Sequence, residues 1–228
     1  RPPALTSPQD AHTRPVRLKA STGTRHMDGF PFIIAALGGY LLGSIPFGLF
    51  ITRAAGLGDI RQIGSGNIGA TNVLRTGRKD LALATLLLDS FKAGLAILGF
   101  ALLFGDRNVG LIAGVFAFLG HCYPVWLRFK GGKGVATYAG LLLFASWKGF
   151  LVAAPIWLAV FFLSRISSLA ALTAALLVPI GACFLGETPF AVGVLAALSV
   201  LVFWTHRANL VRLLKGTEPR FGQKKDAG

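Results

Sequence analysis

Residues 64 to 75, GSGNIGATNVLR, bring hydroxyl and amide side chains together with the cation Arg75. Glycine allows the backbone to approach a ligand closely, and backbone amides in such a loop can surround an anion. The segment lies between two apolar runs that are each long enough to be buried in a membrane. We therefore predict a phosphate-binding loop, although a flexible connector between helices has a similar composition. The candidate binding residues of this first cluster are Gly64, Ser65, Gly66, Asn67, Gly69, Thr71, Asn72 and Arg75.

A second cluster, KGGKGVAT at residues 130 to 137, also follows an apolar run. Its candidate binding residues are Gly131, Gly132, Lys133 and Gly134, directly before an expected helix start. Backbone amides at a helix N-terminus, together with an ammonium group, favour anion binding. The spacing of a nucleotide P-loop is absent, so ATP binding is not predicted. A lysine-bearing connector at a membrane surface is the alternative interpretation.

A third cluster, THRANLVRLLKGTE at residues 205 to 218, begins where the last apolar run ends. His206 and Asn209 are three positions apart, so they share one face if the helix of that run continues. The sequence shows no Ser-His-Asp set and no metal-ligand spacing, and its carboxylates are few and scattered. Hydrolase chemistry, a metal and a cofactor are therefore not predicted.

The composition is that of an integral membrane protein. Of the 228 residues, 54% are hydrophobic and only 14% are charged. Apolar runs recur through nearly the whole chain, which predicts an all-α fold of membrane-spanning helices. The chain is strongly basic, with 23 Lys and Arg against 9 Asp and Glu, but it has no basic helix and no RNA-type aromatic motif. This charge therefore favours anionic lipid and phosphorylated substrates as partners, and not nucleic acid.

The apolar runs predict about seven spans. The run at 135 to 164 is long for one tilted helix, so we divide it near Ser146 to Gly149. With this count, 15 Lys and Arg fall on one side, in the loops at 53 to 80 and 128 to 134, the turn at 165 and the tail. If the arm at 1 to 26 is set aside, the other side has only Arg107 and Lys148. The basic side is expected to be cytoplasmic. The predicted spans are 30 to 52, 81 to 104, 109 to 127, 135 to 146, 149 to 164, 169 to 185 and 190 to 205.

Few residues within the apolar runs are ionisable or reactive. Asp89 and Lys92 are three positions apart on one helical face and can pair. Intramembrane charges mark a site or form a structural ion pair, and the sequence leaves both readings open. Cys122 and Cys183 are expected to be buried free thiols without a disulfide.

Residues 1 to 26 differ from the rest, being polar and proline-bearing with five basic residues. Met27 is the only methionine, so we expect it to be the natural start of a single domain at 27 to 228. The preceding arm is then upstream or added sequence, expected to be disordered. A transit peptide is the alternative.

The three clusters, which fall on one side of the membrane, predict a site for two phosphorylated molecules, one water-soluble and one with an apolar tail. Such a site acts mainly by positioning and charge neutralisation. An organophosphate transporter is a rival, but the opposite half of the predicted bundle has almost no ionisable residues for a polar path. A lipid-binding scaffold is a second rival, and it gives no reason for three such clusters.

The clusters, together with GSIPFG at 43 to 48, closely resemble the motifs of the acyl-phosphate-dependent glycerol-3-phosphate acyltransferases, the PlsY family. The resemblance covers residues 27 to 222. It implies transfer of a fatty acyl group from acyl phosphate to the 1-hydroxyl of sn-glycerol 3-phosphate, giving lysophosphatidic acid and inorganic phosphate. It also implies a seven-helix protein of the bacterial inner membrane, with a cytoplasmic site and C-terminus and the N-terminus outside. The soluble enzyme that makes acyl phosphate is a candidate partner.

The resemblance also assigns site residues by motif position, and the expected catalytic residues are Ser65, Arg75, Lys133, His206 and Asn209. Ser65 and Arg75 match an essential serine and arginine, residues 131 to 134 match a glycine-rich substrate loop, and His206, Asn209 and Glu218 match the third motif. Our hypothesis is that Arg75, Lys133, His206 and Asn209 grip glycerol phosphate. The amides of the two glycine loops, with Ser65 and Thr71, then hold acyl phosphate. Glu218 is expected to bind substrate, and the alternative is a structural role in which it pairs with Arg212 or Lys215.

Overall fold

The computed structural model describes residues 29 to 222, and these residues form helices and loops without a strand. The predictions for the arm at 1 to 26 and for Met27 lie outside this range. Two short 3-10 turns, Ile60–Gln62 and Val125–Leu127, accompany the α-helices. The α-helices are α1 Phe30–Gly43, α2 Phe47–Ala54, α3 Ala70–Leu74, α4 Lys79–Phe104, α5 Arg107–Cys122, α6 Val135–Ala145, α7 Trp147–Ser164, α8 Ser167–Phe184, α9 Pro189–Thr205 and α10 Arg207–Leu214.

The predicted all-helical membrane architecture is confirmed. Five stretches are long and apolar enough to cross a membrane, namely Phe30–Ala54, Lys79–Phe104, Arg107–Leu127, Trp147–Ser164 and Ser167–Phe184. A sixth arises if α9 and α10, which meet at a bend of 64°, are counted together. The count of seven stays a prediction, because the remaining apolar helix, α6, has only 11 residues and a full crossing takes about 20.

The first span, predicted at 30 to 52, is present at Phe30–Ala54, but it consists of two helices with a break that the sequence analysis does not predict. α1 ends at Gly43 and α2 begins at Phe47. Pro46 has no amide hydrogen to donate and disfavours a helical backbone at Ile45, so the helix cannot run through. We call residues 44 to 46 the first-span break.

The predicted division of the run at 135 to 164 is confirmed. α6 ends at Ala145 and α7 begins at Trp147. The Ser146 side chain accepts a hydrogen bond from the Gly149 amide at 3.2 Å and so caps α7. Its hydroxyl also donates to Glu187 at 2.7 Å, which ties this turn to the one between α8 and α9.

Small residues let the helices pack closely. Gly43 of α1 faces the backbone of Ala117 in α5, where a Cβ would overlap the Ala117 carbonyl. α4 and α6 pack beside this pair, and α8 lies between α7 and α9. Cys122 is buried as predicted, but Cys183 is exposed because it faces away from the bundle, so that part of the prediction was wrong.

The clusters meet at one end of the bundle because successive long helices run in opposite directions. Contacts at this end join Trp126 Nε1 to the Ser44 carbonyl at 3.0 Å and the Phe221 amide to the Arg165 carbonyl at 2.7 Å. The first-span break and all three clusters lie here, and we call it the loop end. At the opposite end, Lys148 Nζ donates to the Leu185 carbonyl at 2.7 Å.

Candidate functional site

Asn72 organises the first cluster. Its side-chain amide nitrogen donates to the carbonyls of Ile60, Ile63 and Asn67 at 2.9, 3.1 and 2.8 Å. Its side-chain oxygen accepts the Ser65 amide at 3.0 Å. Asn72 is only 2% exposed, and both its polar atoms are used within the loop. In this structure Asn72 therefore stabilises the loop, whereas we predicted that it binds the substrate.

Gly64 lies beside the Arg75 side chain in the first cluster. Gly64 adopts a left-handed backbone with φ of 57°, and a Cβ there would overlap the Asn72 oxygen and crowd the Arg75 side chain. The Gly66 amide donates to the Ile63 carbonyl at 3.0 Å. Gly64, Ser65, Gly66 and Arg75 are exposed, whereas Asn67, Gly69 and Thr71 are half-buried. The Ser65 hydroxyl and the Arg75 guanidinium are the accessible groups of this loop.

The second cluster is folded against the end of α5. The Gly131 amide donates to the Cys122 carbonyl at 3.1 Å and the Gly132 amide to the His121 carbonyl at 3.0 Å. A Cβ on Gly131 would overlap the His121 carbonyl, and one on Gly134 would overlap the Phe118 ring. These glycines therefore permit close packing of the loop.

The expectation that loop amides hold the acyl phosphate does not hold for four of those amides. The amides of Ser65, Gly66, Gly131 and Gly132 all donate to oxygen atoms of the protein itself. An amide has a single hydrogen, so none of the four offers it to a ligand in this conformation.

Lys133 connects the three clusters. Burial lowers the pKa of its ammonium group to about 8, and the nearby charges of Arg212 and Arg75 lower it as well, while Glu218 acts in the opposite direction. The Thr205 hydroxyl donates to the Lys133 carbonyl at 3.1 Å. A cation of the first cluster and two charges of the third cluster are thus close enough to Lys133 to shift its pKa.

His206 lies at the bend between α9 and α10 and is only 2% exposed. Its Nδ1 atom is 2.8 Å from the Val202 carbonyl, and a carbonyl only accepts, so Nδ1 carries the proton. In the neutral ring Nε2 is then an acceptor. A neutral ring of this kind suits a substrate hydroxyl better than a phosphate group.

Glu218 is the hydrogen-bond acceptor that joins residues of the third cluster to one another and to α8. Its Oε1 atom accepts from Ser168 at 2.6 Å and from Asn209 at 2.5 Å, and its Oε2 atom accepts from Arg212 at 2.7 Å. Burial raises the pKa of Glu218, but these three hydrogen bonds and the Arg212 charge outweigh it, so the pKa is lowered overall. The alternative of pairing with Arg212 is therefore the one that the structure shows.

Sequence reasoning missed two residues here. Ser168 lies in the first turn of α8 and nothing in its surroundings marks it, because its partner Glu218 is 50 positions away. Arg212 was considered only as a partner of Glu218, although it also acts on Lys133. Its place one helical turn after Asn209 was the available signal.

The assembled groups can bind a phosphate and a hydroxyl together. Arg75, Lys133 and Arg212 supply positive charge, and arginine and lysine pair with phosphate oxygens through charge-assisted hydrogen bonds. His206 supplies a hydroxyl acceptor. Within residues 29 to 222 there is no group of three His, Cys, Asp or Glu side chains that could hold a metal ion.

A protein-family model described as glycerol-3-phosphate acyltransferase matches residues 33 to 216. The chain belongs to this family. Curated glycerol-3-phosphate acyltransferases support the assignment along nearly their whole length. The acyltransferase of Hyphomonas neptunium is 69% identical over 85% of this chain and 94% of its own. That of Maricaulis maris is 60% identical over 85% of this chain and 88% of its own.

Solved structures place this acyltransferase in the PlsY group. A crystal structure of PlsY, an integral membrane glycerol 3-phosphate acyltransferase, in its glycerol 3-phosphate form has a TM-score of 0.78 and 38% sequence identity. It covers 84% of this chain and 96% of its own. The lysophosphatidic acid form gives a TM-score of 0.77 at 36% identity, covering 84% and 95%. The resemblance in the motifs is thereby confirmed, and the chain is a glycerol-3-phosphate acyltransferase of phospholipid biosynthesis.

Proposed function

We propose that this acyltransferase uses acyl phosphate as its donor and acylates the 1-hydroxyl of sn-glycerol 3-phosphate. The products are lysophosphatidic acid and inorganic phosphate. The observation that carries the proposal is that the charges of Arg75 and Arg212 act on Lys133, whose carbonyl accepts a hydrogen bond from Thr205, the residue before His206. PlsY structures in glycerol 3-phosphate and lysophosphatidic acid forms support the same acceptor and product for this chain.

In the proposed complex, Arg75, Lys133 and Arg212 hold the phosphate of glycerol 3-phosphate. His206 Nε2 and Asn209 lie at the glycerol hydroxyls, with Asn209 fixed by Glu218. The hydroxyls of Ser65 and Thr71 face the acyl phosphate.

Acyl phosphate is a mixed anhydride and already activated. The 1-hydroxyl oxygen attacks the acyl carbon, the bond from that carbon to the phosphate oxygen breaks, and a phosphate oxygen takes the hydroxyl proton. The step then needs positioning and charge neutralisation more than a strong protein base.

We infer that the loop end faces the cytoplasm of a bacterial cell, with the protein in the inner membrane and the start of α1 on the outer side. Lys and Arg are concentrated in the loops at this end, which is typical of cytoplasmic loops. Such an orientation gives the site access to soluble glycerol 3-phosphate and to a soluble enzyme that supplies acyl phosphate. The acyl chain itself then lies in the lipid.

Purified protein in lipid nanodiscs, given labelled glycerol 3-phosphate and palmitoyl phosphate, is expected to form lysophosphatidic acid and release one phosphate per product. Parallel reactions with acyl-CoA or acylated carrier protein are expected to give no product. Product formed from either thioester, and none from the acyl phosphate, would overturn the proposed donor. No product from any of the three donors would likewise overturn the proposed donor.

The activity is expected to depend on the protonation of Lys133. Because its pKa in the free protein is about 8, kcat/KM for glycerol 3-phosphate should fall as the pH rises through 8 and the ammonium group loses its charge. Lys133→Arg keeps the charge at all these pH values. In that variant kcat/KM is expected no longer to fall above pH 8, whatever its absolute rate. If the fall above pH 8 is unchanged in the variant, the pKa belongs to another group. Initial rates between pH 6 and 9.5 measure both profiles.

A further inference from the structure

Asp89, Lys92 and His121 form a charged network inside the bundle, and the site described above does not use it. Lys92 Nζ lies 2.8 Å from Asp89 Oδ1, 2.8 Å from His121 Nδ1 and 3.1 Å from the Ile45 carbonyl. Asp89 and Lys92 are each 1% exposed and His121 is 4% exposed. An ammonium group has three hydrogens and accepts nothing, so all three are used and His121 Nδ1 is an acceptor.

The three acceptors of Lys92 belong to three different parts of the fold. Ile45 lies in the first-span break, Asp89 in α4 and His121 in the last turn of α5. The backbone of His121 also accepts the Gly132 amide at 3.0 Å. A Cβ on Gly132 would overlap the His121 ring, so this ring lies directly against the second cluster. One ammonium group thus connects the first-span break to the residue that precedes Lys133.

A second set of contacts lies nearer the surface. The Tyr40 hydroxyl in α1 donates to the Tyr123 carbonyl at 2.7 Å, and Trp126 Nε1 donates to the Ser44 carbonyl in the first-span break at 3.0 Å. The chain from 121 to 132 is therefore held both to the last turn of α1 and to the first-span break.

Stability alone does not account for a buried charge network. Apolar side chains of similar volume often stabilise a protein as well as a buried ion pair does, or better. Hydrogen bonds add direction, because each fixes the position of its partner within a few tenths of an ångström. The Lys92 network is suited to holding two segments in a defined relation.

We propose that Lys92 and His121 are positioning residues for the glycerol 3-phosphate site. They fix the second cluster relative to the first-span break and so hold Lys133 where it meets Arg75 and Arg212. The proposal rests on the proposed function for the identity of the ligand.

The test compares His121→Asn with His121→Leu in nanodiscs. An asparagine side chain keeps an oxygen acceptor at the position of His121 Nδ1, whereas leucine has the same branching and no acceptor. Equilibrium dialysis with labelled glycerol 3-phosphate should give a Kd within about threefold of the parent for His121→Asn and at least about tenfold higher for His121→Leu. In the acyl-transfer assay, KM for glycerol 3-phosphate should rise in the same way, and KM for acyl phosphate should change by less than about twofold.

Ser199→Ala is the matched control. It removes another buried hydrogen bond, from Ser199 Oγ to the Ala175 carbonyl at 2.6 Å, outside the network. It should leave the Kd unchanged. Equal Kd values for the two folded His121 variants would overturn the positioning role. Failure of the parent to transfer the acyl group would overturn the proposed donor and leave the binding comparison intact.

A second variant covers the case in which His121→Leu does not fold. Asp89→Leu combined with Lys92→Met removes both charges and keeps their approximate volume, which buried ion pairs often tolerate. This double variant is expected to fold and to bind glycerol 3-phosphate at least about tenfold more weakly than the parent. Binding equal to that of the parent would contradict the proposal.

Discussion

Lys133→Met should lower kcat/KM for glycerol 3-phosphate by about 100-fold, since a hydrogen bond from a charged group contributes up to about 3 kcal/mol. The side chain keeps its length and its apolar stem but loses the ammonium group that lies among Arg75, Arg212 and Glu218. Most of the effect should appear as a higher KM for glycerol 3-phosphate. Steady-state rates with acyl phosphate held at saturation provide the measurement.

Lys130→Met is the matched control for this prediction. Lys130 belongs to the same cluster, lies three positions earlier and is exposed. Its loss should change kcat/KM by less than about threefold, because an exposed charge contributes little. Similar losses in both variants would mean that the second cluster acts only through its general charge.

Gly131→Ala is expected to reduce activity by about 100-fold or more and to lower the Tm in detergent by about 5 °C. The added Cβ would overlap the His121 carbonyl and crowd the Pro124 ring, and a backbone carbonyl at the end of α5 cannot easily move. Overpacking of this kind costs about 1–3 kcal/mol, which corresponds to a shift of several degrees in a protein of this size. Relief of the overlap would displace the loop and Lys133 with it.

Gly99→Ala tests whether any added methyl group has this effect. Gly99 lies in α4, is exposed and has open space where its Cβ would be. We expect activity and Tm to stay close to those of the parent. A Gly131→Ala protein with normal Tm and normal rate would show that the loop can lie elsewhere without loss of function.

The glycines of the second cluster show what the sequence could predict and what it could not. The absence of a side chain indicated a close approach, but a ligand and another helix demand the same absence. The structure shows that the close neighbours are Phe118, His121 and Pro124 of the preceding segment. Those contacts depend on how the chain turns back after α5, and the path of that turn cannot be predicted from the local composition.

Span boundaries were more accessible because they depend on local composition. The apolar runs and the polar break at Ser146 located α4 to α9 within a few residues. The break at Pro46 was missed, since proline is tolerated within membrane helices when neighbours satisfy the freed backbone groups. Here Lys92 hydrogen-bonds the Ile45 carbonyl from 47 positions away. The pairing of Asp89 with Lys92 followed from spacing alone, whereas the third member, His121, required the tertiary fold.

The bend of 64° between α9 and α10 determines which side of α10 faces the protein interior and which side lies at the surface. Arg207 lies over the Trp204 ring at 5.0 Å, and Val211 and Leu214 are 50% and 88% exposed, while Asn209 of the same helix faces inward. Tryptophan, arginine and exposed aliphatic side chains together favour the headgroup layer. One side of α10 therefore carries the buried Asn209, and the other presents apolar side chains suited to contact with lipid.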